Sequence, residues 1–211
     1  MLQRIAFKDS TLEFLVKLMQ DDFLNTFVLV GGTGLALQIG HRDSIVLDLF
    51  SKYPINEPEL FTYLNENYNF EKDFARNNTL KGQIEGVKID MMTHNCPNVE
   101  DDLLVESVRM ASLSGISAMI FNAIMNTGTR IKDFIDISYL SASLSLSEML
   151  VSYGQKYPNV NSNMIYKALT YFEDIDFNEP INLIKGKLKW PIIEKKLQRM
   201  VNNPSKIFTP L

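Results

Sequence analysis

Cysteine is almost missing from this chain: Cys96 is the only one among 211 residues. A lone thiol closes no internal disulfide, so the fold must be held by its core, as expected in a reducing, cytoplasmic setting. An excess of positive charge is missing too. The 21 basic side chains are outnumbered by 25 acidic ones, for a net charge of -4. That balance excludes a protein that coats nucleic acid by bulk charge. With 10 glycines and 8 prolines there is no collagen-like or low-complexity composition. No secretory signal is visible, because the apolar stretch from Phe27 to Ile39 begins late and is broken by Gly31, Gly32 and Gly34. The longest uncharged span, Met110 to Thr129, has the 20 residues a bilayer requires. Its serines, asparagines, threonines and glycines instead mark a buried helix of a soluble domain. Neither a membrane nor DNA is expected as a partner.

What is present is an ordinary globular composition, 45% hydrophobic and 22% charged. Residues 1–110 mix helical and strand patterns, whereas residues 111–211 read as almost entirely helical. The fold class expected is α+β, a mixed-sheet domain followed by a helical domain that closes a cleft. Leu12, Phe14, Leu15, Leu18, Met19 and Phe23 form a helical stripe, with Ser10 or Thr11 as N-cap. The apolar run Phe27–Val30 predicts a buried strand, and Gly34–Gly40 a helix after a glycine turn. A second strand is expected over Ser44–Phe50, and a helix opened by Asn56-Glu57-Pro58. Thr79–Ile84 and Val87–Met92 predict a hairpin about Glu85-Gly86. Five helices are expected near 114–126, 131–142, 146–156, 161–172 and 191–202, with Ser114, Ser147, Asn161 and Pro191 near their starts.

The informative segment is LVGGTGLALQIGHRDSIVLDLF. A strand that ends in Gly31-Gly32-Thr33 and runs into a helix presents bare N–H groups and a hydroxyl to an anion. A tight packing turn explains the same glycines. Asp48 lies within an otherwise apolar strand and Asp90 at a similar position in VKIDM. A carboxylate in such a strand faces either water or a cation, because an unpaired buried charge is costly. Two aspartates on neighbouring strands suit a hard ion such as Mg²⁺.

In order and spacing these motifs resemble the AbiEii-like nucleotidyltransferases, abortive-infection and toxin–antitoxin proteins on the DNA-polymerase-β-type nucleotidyltransferase fold. The segment above resembles the family's Gly-Gly-Thr and Gly-His-Arg-x-Ser-x-Asp-x-Asp signature, and GVKIDMM its third-carboxylate strand. ASLSGISAMIFNAIMNTGTRIKDFIDISYL resembles its following helices, and LTYFEDIDFNEPINLIKGKLKW its closing segment. The resemblance implies transfer of a nucleoside monophosphate from Mg²⁺·NTP to an acceptor, tRNA or a protein, by a protein with a cognate antitoxin. It implies metal binding and catalysis by Asp48 and Asp90, and nucleotide binding by Gly31, Gly32, Thr33, Arg42, Ser44, Lys132 and Asp133.

Three departures stand out. The family's first carboxylate falls on Val46, its helix-opening aspartate on Gly115 and its helix lysine on Ile120. Valine offers no oxygen, so catalysis is expected to be impaired or lost; a non-catalytic module binding a nucleotide, RNA or partner is the alternative. His41 reads as a structural histidine, and His94 has no assigned role. Asp133 and Asp136 share a helix face, either in a cleft or in a salt-bridge cluster. Lys185, Lys187, Lys189, Lys195, Lys196 and Arg199 form a basic stretch, either a solvated helix face or a contact for an RNA backbone.

Overall fold

The computed structural model describes residues 1–6, 8–184 and 189–211. The chain divides into two compact units, one of Met1–Cys96 with Asp102–Ala111, the other of Pro97–Asp101 with Ser112–Leu211. Among the described residues no helix is long and apolar enough to cross a membrane.

The first unit opens with α1 (Asp9–Gln20), then β1 (Val28–Leu29), α2 (Gly31–Ile39), β2 (Leu47–Ser51) and α3 (Glu57–Tyr68). Five strands follow: β3 (Glu71–Ala75), β4 (Thr79–Ile84), β5 (Val87–Thr93), β6 (Leu103–Val105) and β7 (Val108–Met110). All seven form one sheet in the order β3-β4-β5-β2-β1-β7-β6. β2 runs parallel to β5, and β1 parallel to β7; the remaining neighbours are antiparallel. The core gathers Leu12, Leu15 and Leu18 of α1 and Leu60 and Leu64 of α3 with Leu47, Leu49, Leu80, Ile89 and Met91 of the strands. Alternation then leaves Asp48 and Phe50 of β2 and Asp90 and Met92 of β5 on the less covered face.

Local chemistry accounts for the helix ends. Asn56 caps α3 by accepting from the Glu59 N–H, as its Asn-Glu-Pro opening predicts. Gly40, in the left-handed region, ends α2 and donates its N–H to Ala36 O. Three expectations shift. α1 begins at Asp9 after Lys8 rather than after Ser10 or Thr11. α2 starts at Gly31 rather than Gly34, because the Gly34 N–H already closes a helical bond on Val30 O. β2 begins only at Leu47, since Ser44 and Val46 are engaged by Thr33 instead of by a neighbouring strand.

The second unit contains α4 (Leu113–Asn126), α5 (Ile131–Leu140), α6 (Leu146–Lys156), α7 (Met164–Ala168) and α8 (Trp190–Asn202). Ser112 and Ser145, rather than Ser114 and Ser147, cap α4 and α6; Ser145 and Glu148 form a capping box. α7 is shorter than the 161–172 span expected. Thr170 Oγ1 donates to the carbonyls of Tyr166 and Lys167 and closes off that last turn.

Candidate functional site

β1 delivers the chain to the middle of the sheet, where the Val30 N–H donates to Asp48 O at 2.9 Å. Gly31 follows with φ +64°, a conformation L side chains rarely adopt. A β-carbon on Gly31 would lie 2.7 Å from Asp48 Oδ2, so glycine is required for room as well as for conformation. The N-terminus of α2 therefore abuts the Asp48 carboxylate, and no side chain of Val30 caps it. The partial positive charge of the uncapped helix end favours an anion there.

Asp48 of β2 stands directly opposite Asp90 of β5 in the parallel ladder. The structure thus brings together Gly31, Asp48 and Asp90. Thr33 and Ser44 bond one another in the approach to β2: Thr33 Oγ1 lies 2.7 Å from Ser44 Oγ and donates to Val46 O. Thr33 is itself buried, so its hydroxyl holds the segment leading into β2. Arg42 is buried as well and donates from Nη1 to Asp43 O at 2.9 Å. His41 is buried beside it. Val46 lies two residues before Asp48, just ahead of β2; its carbonyl accepts from Thr33 and its side chain carries no oxygen.

One neighbour escaped sequence reasoning. Lys81 of β4 stands opposite Asp90, and its Nζ contacts Asp90 Oδ2. The signal lay in the hairpin: a two-residue turn at Glu85-Gly86 pairs Ile84 with Val87, and counting outward pairs Lys81 with Asp90.

Lys132 and Asp133 lie on α5 of the second unit. Lys132 Nζ is 2.6 Å from Glu179 Oε1, and Arg130 Nη2 is 2.8 Å from Asp133 Oδ1. Burial pushes the Asp133 carboxyl up to about 6; Arg130 opposes that shift and Asp136, itself buried, adds to it. In α4, Gly115 donates its N–H to the capping Ser112 Oγ, and Ile120 is buried.

The basic stretch divides. Lys185 and Lys187 lie outside the described residues. Lys195 and Arg199 are exposed on α8, whereas Lys196 is buried and donates to Thr209 O at 2.9 Å, which removes it from any RNA-facing set. Burial also lowers the Lys196 amine to about 8. His94 sits against Phe50, ring centroids 5.3 Å apart.

As a donor set for magnesium, the site offers two carboxylates on adjacent strands. Mg²⁺ is commonly held by one or two carboxylates together with phosphate oxygens, so the pair fits one such ion. It does not fit two. Val46 provides no third oxygen, and among the described residues no three histidine, cysteine or acidic side chains gather as a metal group.

Comparison with known proteins places the fold first. A crystal structure of a candidate nucleotidyltransferase from Helicobacter pylori superposes with a TM-score of 0.58 at 15% identity, over 94% of this chain and 96% of that one. JHP933 from Helicobacter pylori superposes with a TM-score of 0.57, also at 15% identity, over 94% and 93% of the two chains. The chain has this nucleotidyltransferase-type fold: a mixed sheet followed by helices. In sequence it is 28% identical over 171 residues to aq_aa25 of Aquifex aeolicus (strain VF5), an uncharacterized protein, covering 77% of this chain and 81% of that one. No protein-family profile matches the chain.

Proposed function

We propose that this is a nucleotidyltransferase-fold protein of the AbiEii toxin type, cytoplasmic and bacterial, whose inherited reaction moves a nucleoside monophosphate from an NTP to RNA or protein. The observation that carries the reading is the Asp48–Asp90 pair on the open face of the sheet, against an uncapped helix N-terminus. Asp48 and Asp90 would hold a single magnesium ion, which when bound neutralises phosphate charge and acts as a Lewis acid. The backbone N–H groups of Gly31, Gly32 and Thr33 would receive the outer phosphates. Thr33 and Ser44 position the segment that leads to Asp48. Arg42 completes the proposed nucleotide-binding set of the first unit; Lys132 and Asp133 of α5 are proposed nucleotide contacts of the second unit, taken separately. tRNA is the acceptor class favoured by the family resemblance, and a cognate antitoxin the partner.

Catalysis is proposed to be weak or lost. Val46 removes a carboxylate from the metal-facing row, and Gly115 and Ile120 replace an acid and a base within a packed helix. Those same positions favour a second reading, a module that binds nucleotide, RNA or a partner without turnover.

The test is transfer of label from each α-labelled NTP to total cellular RNA and protein, with Mg²⁺ or Mn²⁺, by wild type, Asp48→Ala and Val46→Asp. The expected result is little or no labelling by wild type and a gain in Val46→Asp. Strong wild-type labelling that disappears in Asp48→Ala would establish an active two-carboxylate enzyme. Silence from all three proteins favours the binding module.

A further inference from the structure

The row of charged residues does not end at the two aspartates. Directly opposed residues of neighbouring strands face the same side of a sheet, so Lys81, Asp90 and Asp48 form one line across β4, β5 and β2. Phe74 of β3, partly exposed, continues that line beyond Lys81. Opposed carboxylates repel one another, and this sheet places a lysine where it offsets the repulsion. The Lys81 Nζ contact is to Asp90 Oδ2, an oxygen that a bridging cation would also use.

We propose that Lys81 is the resident counter-cation of Asp90 and so sets the affinity of the site for divalent ions: an ion shared by Asp48 and Asp90 binds only by displacing the lysine ammonium from Asp90. Lys81 thus sets metal affinity beside the proposed nucleotide site, at a position the family resemblance does not assign. The inference rests on Asp48 and Asp90 forming a cation site. It adds that Asp90 already carries a counter-charge without metal, so the free protein is a weak metal binder that gains affinity when the Lys81 charge is removed by substitution. The Lys81 side chain is 40% exposed, and its removal leaves the core of the sheet untouched.

The experiment measures Mn²⁺ affinity of the intact chain by electron paramagnetic resonance, without nucleotide. Wild type, Lys81→Met, Lys81→Arg, Asp48→Asn and Asp90→Asn are compared, with circular dichroism confirming that each is folded. Lys81→Met is expected to bind at least about tenfold more tightly than wild type, the effect of removing a unit charge beside a shared ligand. Lys81→Arg should remain within about threefold of wild type, since the charge is kept. The double variant Lys81→Met/Asp48→Asn should lose the gain. If Lys81→Met binds no more tightly than wild type while Asp48→Asn abolishes binding, the inference falls and the proposed site stands. If Mn²⁺ binding survives both Asp48→Asn and Asp90→Asn, the site and the inference fall together. Absence of binding in both wild type and Lys81→Met also overturns the inference.

Discussion

Each unit of this chain holds a pair of aspartates, and the two pairs differ in how the backbone pairs them. Asp48 and Asp90 belong to adjacent parallel strands and lie on the less covered face of the sheet, with Lys81 in contact with Asp90. Asp133 and Asp136 are three residues apart on one helix, and both are buried. The first pair keeps its carboxylates half-exposed, where a cation can reach them. The second is drawn out of water, so that even with Arg130 in contact the Asp133 proton is held to about 6. A pair of acids is therefore no site by composition alone; the element that carries it decides whether its charge is offered or suppressed.

The largest effect is expected at the turn that supports the first pair. Gly31→Ala should cost about 3 kcal/mol, combining left-handed strain with collision against Asp48. Gly86→Ala should cost only about 1 kcal/mol, since Gly86 shares the positive φ but has nothing within 4 Å of its β-carbon position. Urea unfolding of both variants measures the difference, and Asp48→Ala should recover part of the Gly31→Ala loss. Equal costs at the two glycines would show that Asp48 does not press on the turn.

A smaller effect separates the second pair. The folded-state pKa of Asp133 is raised, so the native protein binds more protons than the unfolded chain between about pH 4 and pH 6. Stability from this group is therefore fully present at low pH and lost as pH rises through that window, by at most about 3 kcal/mol. Asp133→Asn should lack that slope when unfolding is followed at both ends of the window. Parallel slopes in the two proteins would contradict a suppressed charge. Arg130→Met should raise the Asp133 titration midpoint further, because Arg130 opposes the shift.

The least effect is expected from Val46→Asp without ligand. A third acid on the open face should lower stability by about 1 kcal/mol in chelator, through like-charge repulsion. Added Mg²⁺ should restore it, a recovery absent in wild type and readable as a shift in the thermal midpoint. No recovery would mean that residue 46 does not point toward the Asp48–Asp90 face.

Much of the frame was legible from local signals. The hairpin of β4 and β5, the Asn56 cap of α3 and the Pro191 start of α8 each depend on residues within one turn of one another. β3 was not legible, because all five of its residues are exposed and leave no apolar alternation to read. The β6–β7 hairpin was hidden too: its turn uses Glu106 and Ser107 at positive φ, where glycine or asparagine would have been the signal. The site divides the same way. Gly31, Asp48 and Asp90 drew attention through residue type and motif, whereas Lys81 needed the cross-strand register.

By itself the sequence determined an α+β chain with a glycine turn, strand-borne aspartates and no side-chain oxygen at residue 46, because residue type and short-range periodicity carry those facts. Only the tertiary structure decided that Asp48 stands beside Asp90, that Lys81 contacts it, and that Asp133 and Lys196 are buried. Long-range strand pairing and desolvation arise from contacts between segments far apart in the chain, and no local pattern encodes them.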